Sequence, residues 1–364
     1  MAYIIKSPAK YIQGKGELAN IGKHTSKLGT KFFVICSENT KKRIGSILEE
    51  SFRAAEHEVV FCGFNGECSK EEIFRIMEIV KASGCDMIVG AGGGKVIDTA
   101  KAVSANLDMP VVIIPTVASN DAPCSGVAVI YNDAGVVIKA LFTKRNPDLV
   151  LVDTDVIAQA PVRLLIAGIG DALATWFEAR AVQASGAKTM ARGKCSNTAL
   201  MMARLCYDLL LENGVEAVKA VQEKTANQAL ENVVEASIYL SGVGFESGGL
   251  AAAHAINDGF AYEPQCHGCY HGEKVAFGTL VQLVLEKADD KQMEEVLSFM
   301  KGVGLPMTLA QLGVKEINHE NLHKVAEAAC VPTQSTKNLS PDITPEDVYQ
   351  AILKADEIGR AYLA

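Results

Sequence analysis

No basic run interrupts this chain of 364 residues, and its formal net charge is -8. A nucleic-acid backbone therefore has no electrostatic footprint on it, and nucleic acid is not an expected partner. No apolar run reaches the length of a membrane span, and Met1-Ala2-Tyr3 leads into no signal peptide, so no membrane is expected either. Low-complexity segments and repeats are missing. The ten cysteines, Cys36, Cys62, Cys85 and Cys206 among them, are scattered through apolar segments rather than framing a small domain. Disulfides are not expected, and a reducing cytoplasm is the expected compartment. Lysine and arginine are absent from three long stretches, 110–127, 165–179 and 241–271. What remains is ordinary globular composition, 49% hydrophobic and 21% charged, on a chain long enough for two domains.

The first part alternates strand-like and helix-like runs. Strands are expected at 31–36 (KFFVIC), 58–62, 86–89, 111–114 and 149–152, with helices at 40–57, 70–83 and 96–106 between them. Such alternation argues for a parallel sheet covered by helices. Residues 128–131 and 136–140, separated by Asn132-Asp133, read as an added hairpin. From Pro161 onward helical patterns dominate, at 170–184, 188–213, 215–240, 275–288, 291–302 and 345–362, punctuated by Gly214, Gly242, Gly304 to Pro306 and Pro332. The expected division is an α/β domain over 1–160 and an all-helical domain over 161–364, with a ligand in the cleft between them.

Four stretches carry chemistry. Residues 86–101, DMIVGAGGGKVIDTAK, place a glycine cluster between a strand and a helix, where backbone N–H groups and the helix N-terminus attract a phosphate. Walker A does not fit, because Val89 and Val96 stand where Gly and Ser or Thr are needed; the dinucleotide fingerprint fails at Lys95. Gly14-Lys15-Gly16 matches that fingerprint more literally but lacks the strand–helix context and reads as a turn. Residues 115–126, PTVASNDAPCSG, form a small polar loop after a buried strand, at the end that faces ligands in such sheets, with Asp121 its only charge. Residues 168–179, GIGDALATWFEA, put Asp171 in the expected first turn of an apolar helix, where a carboxylate also serves the helix dipole. In 244–272, His254 and His271 bracket a turn-rich passage, which suggests a metal held between helices. The Cys266, His267, Cys269 and His271 run resembles half a structural zinc site, yet no second Cys pair completes four ligands. His24, His57, His319 and His323 lie in charged surroundings and read as surface residues.

Taken together, SPAKYIQG, GAGGGKVIDTAK, PTVASNDAPCSGVAVIY, NPDLVLVDTDVIAQAP, GIGDALATWFEAR, LSGVGFESGGLAAAHA and HGEKVAFGTL span nearly the whole chain. They resemble the polyol-oxidising branch of the iron-containing alcohol dehydrogenase superfamily. The resemblance implies a Rossmann-like N-terminal domain followed by an all-α C-terminal domain, the dehydroquinate synthase-like fold. It implies zinc on Asp171, His254 and His271, and an NAD site lined by Gly93, Gly94, Lys95, Asp98, Thr116, Ser119, Ser125, Val127 and Tyr131. Asp121 would touch the substrate, and a homo-oligomer, often an octamer, is the family habit. Two positions depart from the family pattern. Ser37 stands where an Asp commonly binds the adenosine ribose, which loosens the preference for NAD over NADP unless Glu38 substitutes. Asn257 stands where a second His commonly relays a proton, which an amide cannot do.

Two imidazoles and one carboxylate leave zinc with about one net positive charge and open coordination, the catalytic type; the same donors also suit iron. The arginine- and lysine-free stretches favour a neutral substrate, since a phosphate or carboxylate would need such a partner. Glycerol or a small vicinal diol such as 1,2-propanediol is the expected substrate, with dihydroxyacetone in reverse. A dehydroquinate synthase-like lyase of the same architecture handles an acidic phosphorylated substrate and fits these stretches poorly. A nucleotide- and metal-binding protein without turnover remains the other alternative.

Overall fold

The computed structural model describes residues 1–132 and 137–364. In chain order it contains β1 (Tyr11–Gly14), α1 (Ile21–Thr25), β2 (Lys31–Cys36), α2 (Glu38–Ala54), β3 (Glu58–Gly63), α3 (Lys70–Ser83), β4 (Met87–Gly92), α4 (Gly94–Leu107), β5 (Val111–Pro115), β6 (Val127–Tyr131), β7 (Val137–Phe142), β8 (Leu149–Asp153) and α5 (Thr154–Ala158). There follow α6 (Val162–Ser185), α7 (Asn197–Gln222), α8 (Gln228–Val234), α9 (Ser241–Gly248), α10 (Ala252–Gly259), α11 (His271–Leu285), α12 (Asp290–Val303), α13 (His319–Ala329), α14 (Thr336–Leu339) and α15 (Pro345–Leu363). Among the described residues no helix is long and apolar enough to cross a membrane.

The chain divides into two compact units. One comprises residues 6–161 and 220–242 and holds the sheet; the other comprises 1–5, 162–219 and 243–364 and is helical. The sequence reading gave 220–242 to the helical half. In the structure this segment packs with the sheet-containing unit, where Gln13 Nε2 and Thr154 Oγ1 both donate to Glu231, at 2.7 and 2.5 Å.

In the sheet-containing unit six parallel strands run in the order β1-β8-β5-β4-β2-β3. The apolar runs KFFVIC, MIVGAG, VVIIP and LVLVD form its middle because both of their faces are covered. Phe32, Val34, Val89, Val112 and Leu151 make one continuous core with Leu48 and Phe52 of α2. From β2 the chain steps outward to β3 and then returns to β4 on β2's other side. Strand order reverses there, so the loop after β4 emerges at the switch point where ligands bind in open parallel sheets. Strand β1 was not expected; it pairs with β8 from Tyr11↔Val150 to Gly14↔Asp153. The expected hairpin exists as the antiparallel pair β6–β7. Its turn at Asn132-Asp133 and its start at 136 lie partly outside the described residues. His57, expected at the surface, packs its ring against Phe32 and Phe52.

The helical unit departs from expectation where glycines were taken as punctuation. Helix α7 runs straight through Gly214, because a Cβ there would lie 2.7 Å from the Phe299 ring and the missing side chain is needed for packing. The helix expected from 188 begins only at Asn197, and the single helix expected over 215–240 breaks after Gln222. It resumes in the sheet-containing unit as α8 and passes through one π-helical stretch, Glu235–Leu240.

Candidate functional site

Asp171, His254 and His271 come together within the helical unit. Their ligand atoms all lie within 4.8 Å of one another, and they are the group of that kind found among the described residues. Asp171 Oδ1 is 3.3 Å from His254 Nε2 and 3.1 Å from His271 Nε2. Burial opposes the charge on Asp171, but the His271 and His254 rings outweigh it and hold the carboxyl well below the usual range. Burial likewise opposes a charge on His254, and the Glu178 and Asp171 carboxylates more than offset it, so that ring is raised well above its ordinary value. The pocket is thus built to hold positive charge. Two borderline nitrogens and one hard oxygen on three separate helices suit a divalent ion with open positions, and the donor set fits zinc.

Three helices set this spacing. Asp171 was expected in a first helical turn; α6 begins at Val162, so Asp171 sits mid-helix, away from the N-terminal dipole. Gly170 lies inside α6 where α11 crosses it. A Cβ on Gly170 would lie 2.4 Å from Gly272 O, and one on Gly272 would lie 1.8 Å from Ala167 O. The two crossing glycines adjoin the two ligands Asp171 and His271. Gly249, whose φ is +105°, separates α9 from α10, and His254 sits in the first turn of α10. Sequence reasoning missed Glu178, which is fully buried and accepts His254 Nδ1 at 2.6 Å. The available signal was its place seven residues after Asp171, two turns along one helix face.

The predicted nucleotide loop lies in the sheet-containing unit. Gly93 caps α4 without a side chain, and Gly94 and Lys95 open the helix, leaving backbone N–H groups at its start. Lys95 Nζ pairs with Glu67 at 2.6 Å and lies over the Tyr131 ring at 5.5 Å. A Cβ on Gly94 would meet Asn120 at 2.7 Å, so the 115–126 loop folds directly onto the glycines. Thr116 N donates to Gly92 O at 3.0 Å. Ser119 and Val127 are half-buried on the same loop and on β6. Thr116, Asp98 and Ser125, all expected at the cofactor, have buried side chains. Ser125 is 1% exposed and donates to Ala122 O, and Asp98 is 6% exposed and pairs with Lys101 at 2.9 Å while accepting Val129 N. Lys101, unnoticed in the sequence, also donates to the carbonyls of Ala122 and Val127, clamping that segment to α4.

Asp121 is buried and accepts Ser241 Oγ at 2.8 Å. Gly242 brings the chain against the same loop; a Cβ there would lie 2.8 Å from Asp121 O. Ser37 caps α2 by accepting Thr40 N at 3.1 Å. Asn257 is 5% exposed, one turn after His254, and its Oδ1 has no hydrogen-bond partner. Cys266 and Cys269 are free; burial pushes the Cys266 thiol up to about 12, which suits a buried hydrophobe and not a thiolate ligand. A cavity of about 470 Å³ lined by Tyr11, Gln13, Gly14, Lys15, Glu231 and Glu235 holds none of the expected metal, cofactor or substrate residues.

Residues 8–154 match the family described as iron-containing alcohol dehydrogenase. Over 363 residues the chain is 49% identical to a glycerol dehydrogenase of Escherichia coli O6:H1, covering 100% of this chain and 99% of that one. The chain belongs to the iron-containing alcohol dehydrogenase family. A glycerol dehydrogenase of Citrobacter freundii is 48% identical over 364 residues, with 100% of both chains covered. The crystal structure of glycerol dehydrogenase from Schizosaccharomyces pombe superposes with a TM-score of 0.95 at 38% identity, covering 99% of this chain and 92% of that one. This member of the iron-containing alcohol dehydrogenases is accordingly an oxidoreductase, with the α/β sheet and helical portion expected of the family.

Proposed function

We propose that the chain oxidises glycerol to dihydroxyacetone, and runs the reverse, with NAD and with zinc held by Asp171, His254 and His271. The convergence of those three side chains supports the reaction class. The substrate rests on similarity to glycerol dehydrogenases at 48 to 49% identity over the full chain. When bound, the ion supplies Lewis acidity toward a substrate hydroxyl and the nicotinamide supplies the hydride acceptor. Overall, a hydride leaves the carbinol carbon and a proton leaves the hydroxyl.

The chain's own residues bind and orient. Asp121, steadied by Ser241, accepts a hydrogen bond from a second hydroxyl and so selects polyols. The N–H groups that open α4 take the cofactor's phosphates. Asn257 carries no titratable proton, so the released proton leaves by water and not through that side chain. Glu38, whose Oε1 is 3.6 Å from where a Cβ on Gly63 would stand, lies at the carboxyl ends of β2 and β3 and supports NAD despite Ser37. A homo-oligomer belongs to the same proposal.

Rates with glycerol, 1,2-propanediol and glycerol phosphate, read as NADH formation, test the substrate class. The two neutral diols should turn over and the phosphate ester should not. Preference for the ester would overturn the proposal.

A further inference from the structure

The start of α10 has an unusual environment. A helix leaves its first N–H groups without intrahelical partners. Here Ala251 contributes no side-chain cap, and the four N–H groups are met by side chains from two other helices. Glu178 Oε1 accepts Ala251 N at 2.9 Å and His254 N at 3.0 Å. Gln282 Oε1 accepts Ala252 N at 3.0 Å and Ala253 N at 3.1 Å. Glu178 belongs to α6, which carries Asp171, and Gln282 belongs to α11, which carries His271. Each helix that brings a ligand to the triad therefore also caps the helix that brings the third. Glu178 and Gln282 are both fully buried.

We infer that Glu178 is the positioning residue of the metal centre, fixing both the place and the tautomer of His254. The inference rests on the metal reading of the triad. A carboxylate can only accept, so the 2.6 Å contact requires His254 Nδ1 to carry the hydrogen. With an ion bound, Nε2 would then carry the lone pair that shares it with Asp171. Gln282 holds the same helix by its backbone alone and has no such hold on the ring.

Glu178→Gln separates the two roles. The amide oxygen still accepts Ala251 N and His254 N, so the cap survives, but the amide nitrogen now faces Nδ1. Two donors repel, and the ring moves its hydrogen to Nε2, which can no longer ligate. Zinc affinity of wild type and variant is measured by competition with a chromogenic chelator, alongside thermal unfolding of the metal-free proteins. The expected result is affinity lower by about 10- to 100-fold, with a cooperative metal-free unfolding transition showing that the variant folds. Equal affinities would overturn the inference while leaving the metal reading intact; a wild type that binds no zinc would overturn both. Should the variant fail to fold, ¹⁵N-histidine spectra of the zinc-loaded wild type decide. His254 must show a protonated Nδ1 and a metal-bound Nε2, and ligation through Nδ1 would overturn the inference.

Discussion

Gly272→Ala tests whether the crossing of α6 and α11 sets the ligand spacing. The new Cβ would stand 1.8 Å from Ala167 O, 2.7 Å from Ala167 C and 2.9 Å from Asp171 N. Ordinary contact begins at 3.4 Å, and the obstructing atoms are backbone, so no side chain can swing aside. One helix must move by about 1.6 Å relative to the other, and the neighbours that move with it are Asp171 and His271. Metal sites tolerate displacements of about 0.2 Å. Overpacking of this kind costs about 1–3 kcal/mol or more, which for a body of this size lowers Tm by roughly 3–10 °C. Zinc affinity should fall by at least about 100-fold, in line with lost ligand support. Gly268→Ala is the control, since a Cβ there meets nothing within 4 Å; its stability should change by no more than about 0.5 kcal/mol. Calorimetry and chelator competition on both variants supply the readings. If Gly272→Ala melts and binds zinc as wild type does, the helix crossing does not set the site.

Breaking the buried Asp98–Lys101 pair with Lys101→Met should cost about 3–5 kcal/mol in thermal unfolding. Lys101→Met should also raise the KM for NAD, because the Ala122 and Val127 carbonyls lose their clamp; adding Asp98→Leu should recover most of the stability while the raised KM persists. Ser37→Asp keeps the cap on Thr40 N, so stability should hold within about 0.5 kcal/mol, and the ratio of NAD to NADP efficiency should rise. Burial raises the carboxyl pKa of Glu72, but hydrogen bonds from Arg75 and Asn65 outweigh it and bring it below its usual value. Its contribution is therefore present above the unfolded pKa of about 4.3 and is lost as pH falls through the lower folded value. Urea unfolding of Glu72→Gln should show about 1–3 kcal/mol less stability at neutral pH and a shallower decline into acid.

The parallel sheet was legible because its middle strands are nearly uninterrupted apolar runs, and KFFVIC or LVLVD puts apolar side chains on both faces. The loops after β4 and β5 were legible for the same reason, since glycines and small polar residues follow those runs directly. Helix boundaries were not. Gly170, Gly214 and Gly272 look like breaks in one dimension, yet each serves a contact with another helix. Asp171, His254 and His271 came through likeness to a family; spacing alone offered only two histidines around a turn. Glu178, Gln282 and Lys101 stayed silent because their partners are 76, 30 and 21 residues away. The pattern named Asp98 and Ser125 as cofactor contacts but carried nothing of their burial or of the Lys101 and Ala122 contacts that hold them.

The most direct test of the central claim is glycerol-dependent NADH formation by the full chain before chelation, after chelation, and after zinc is restored. Activity should disappear with the chelator and return with zinc. Activity indifferent to chelation, or a zinc-loaded chain that reduces neither NAD nor NADP with any small diol, would contradict that claim.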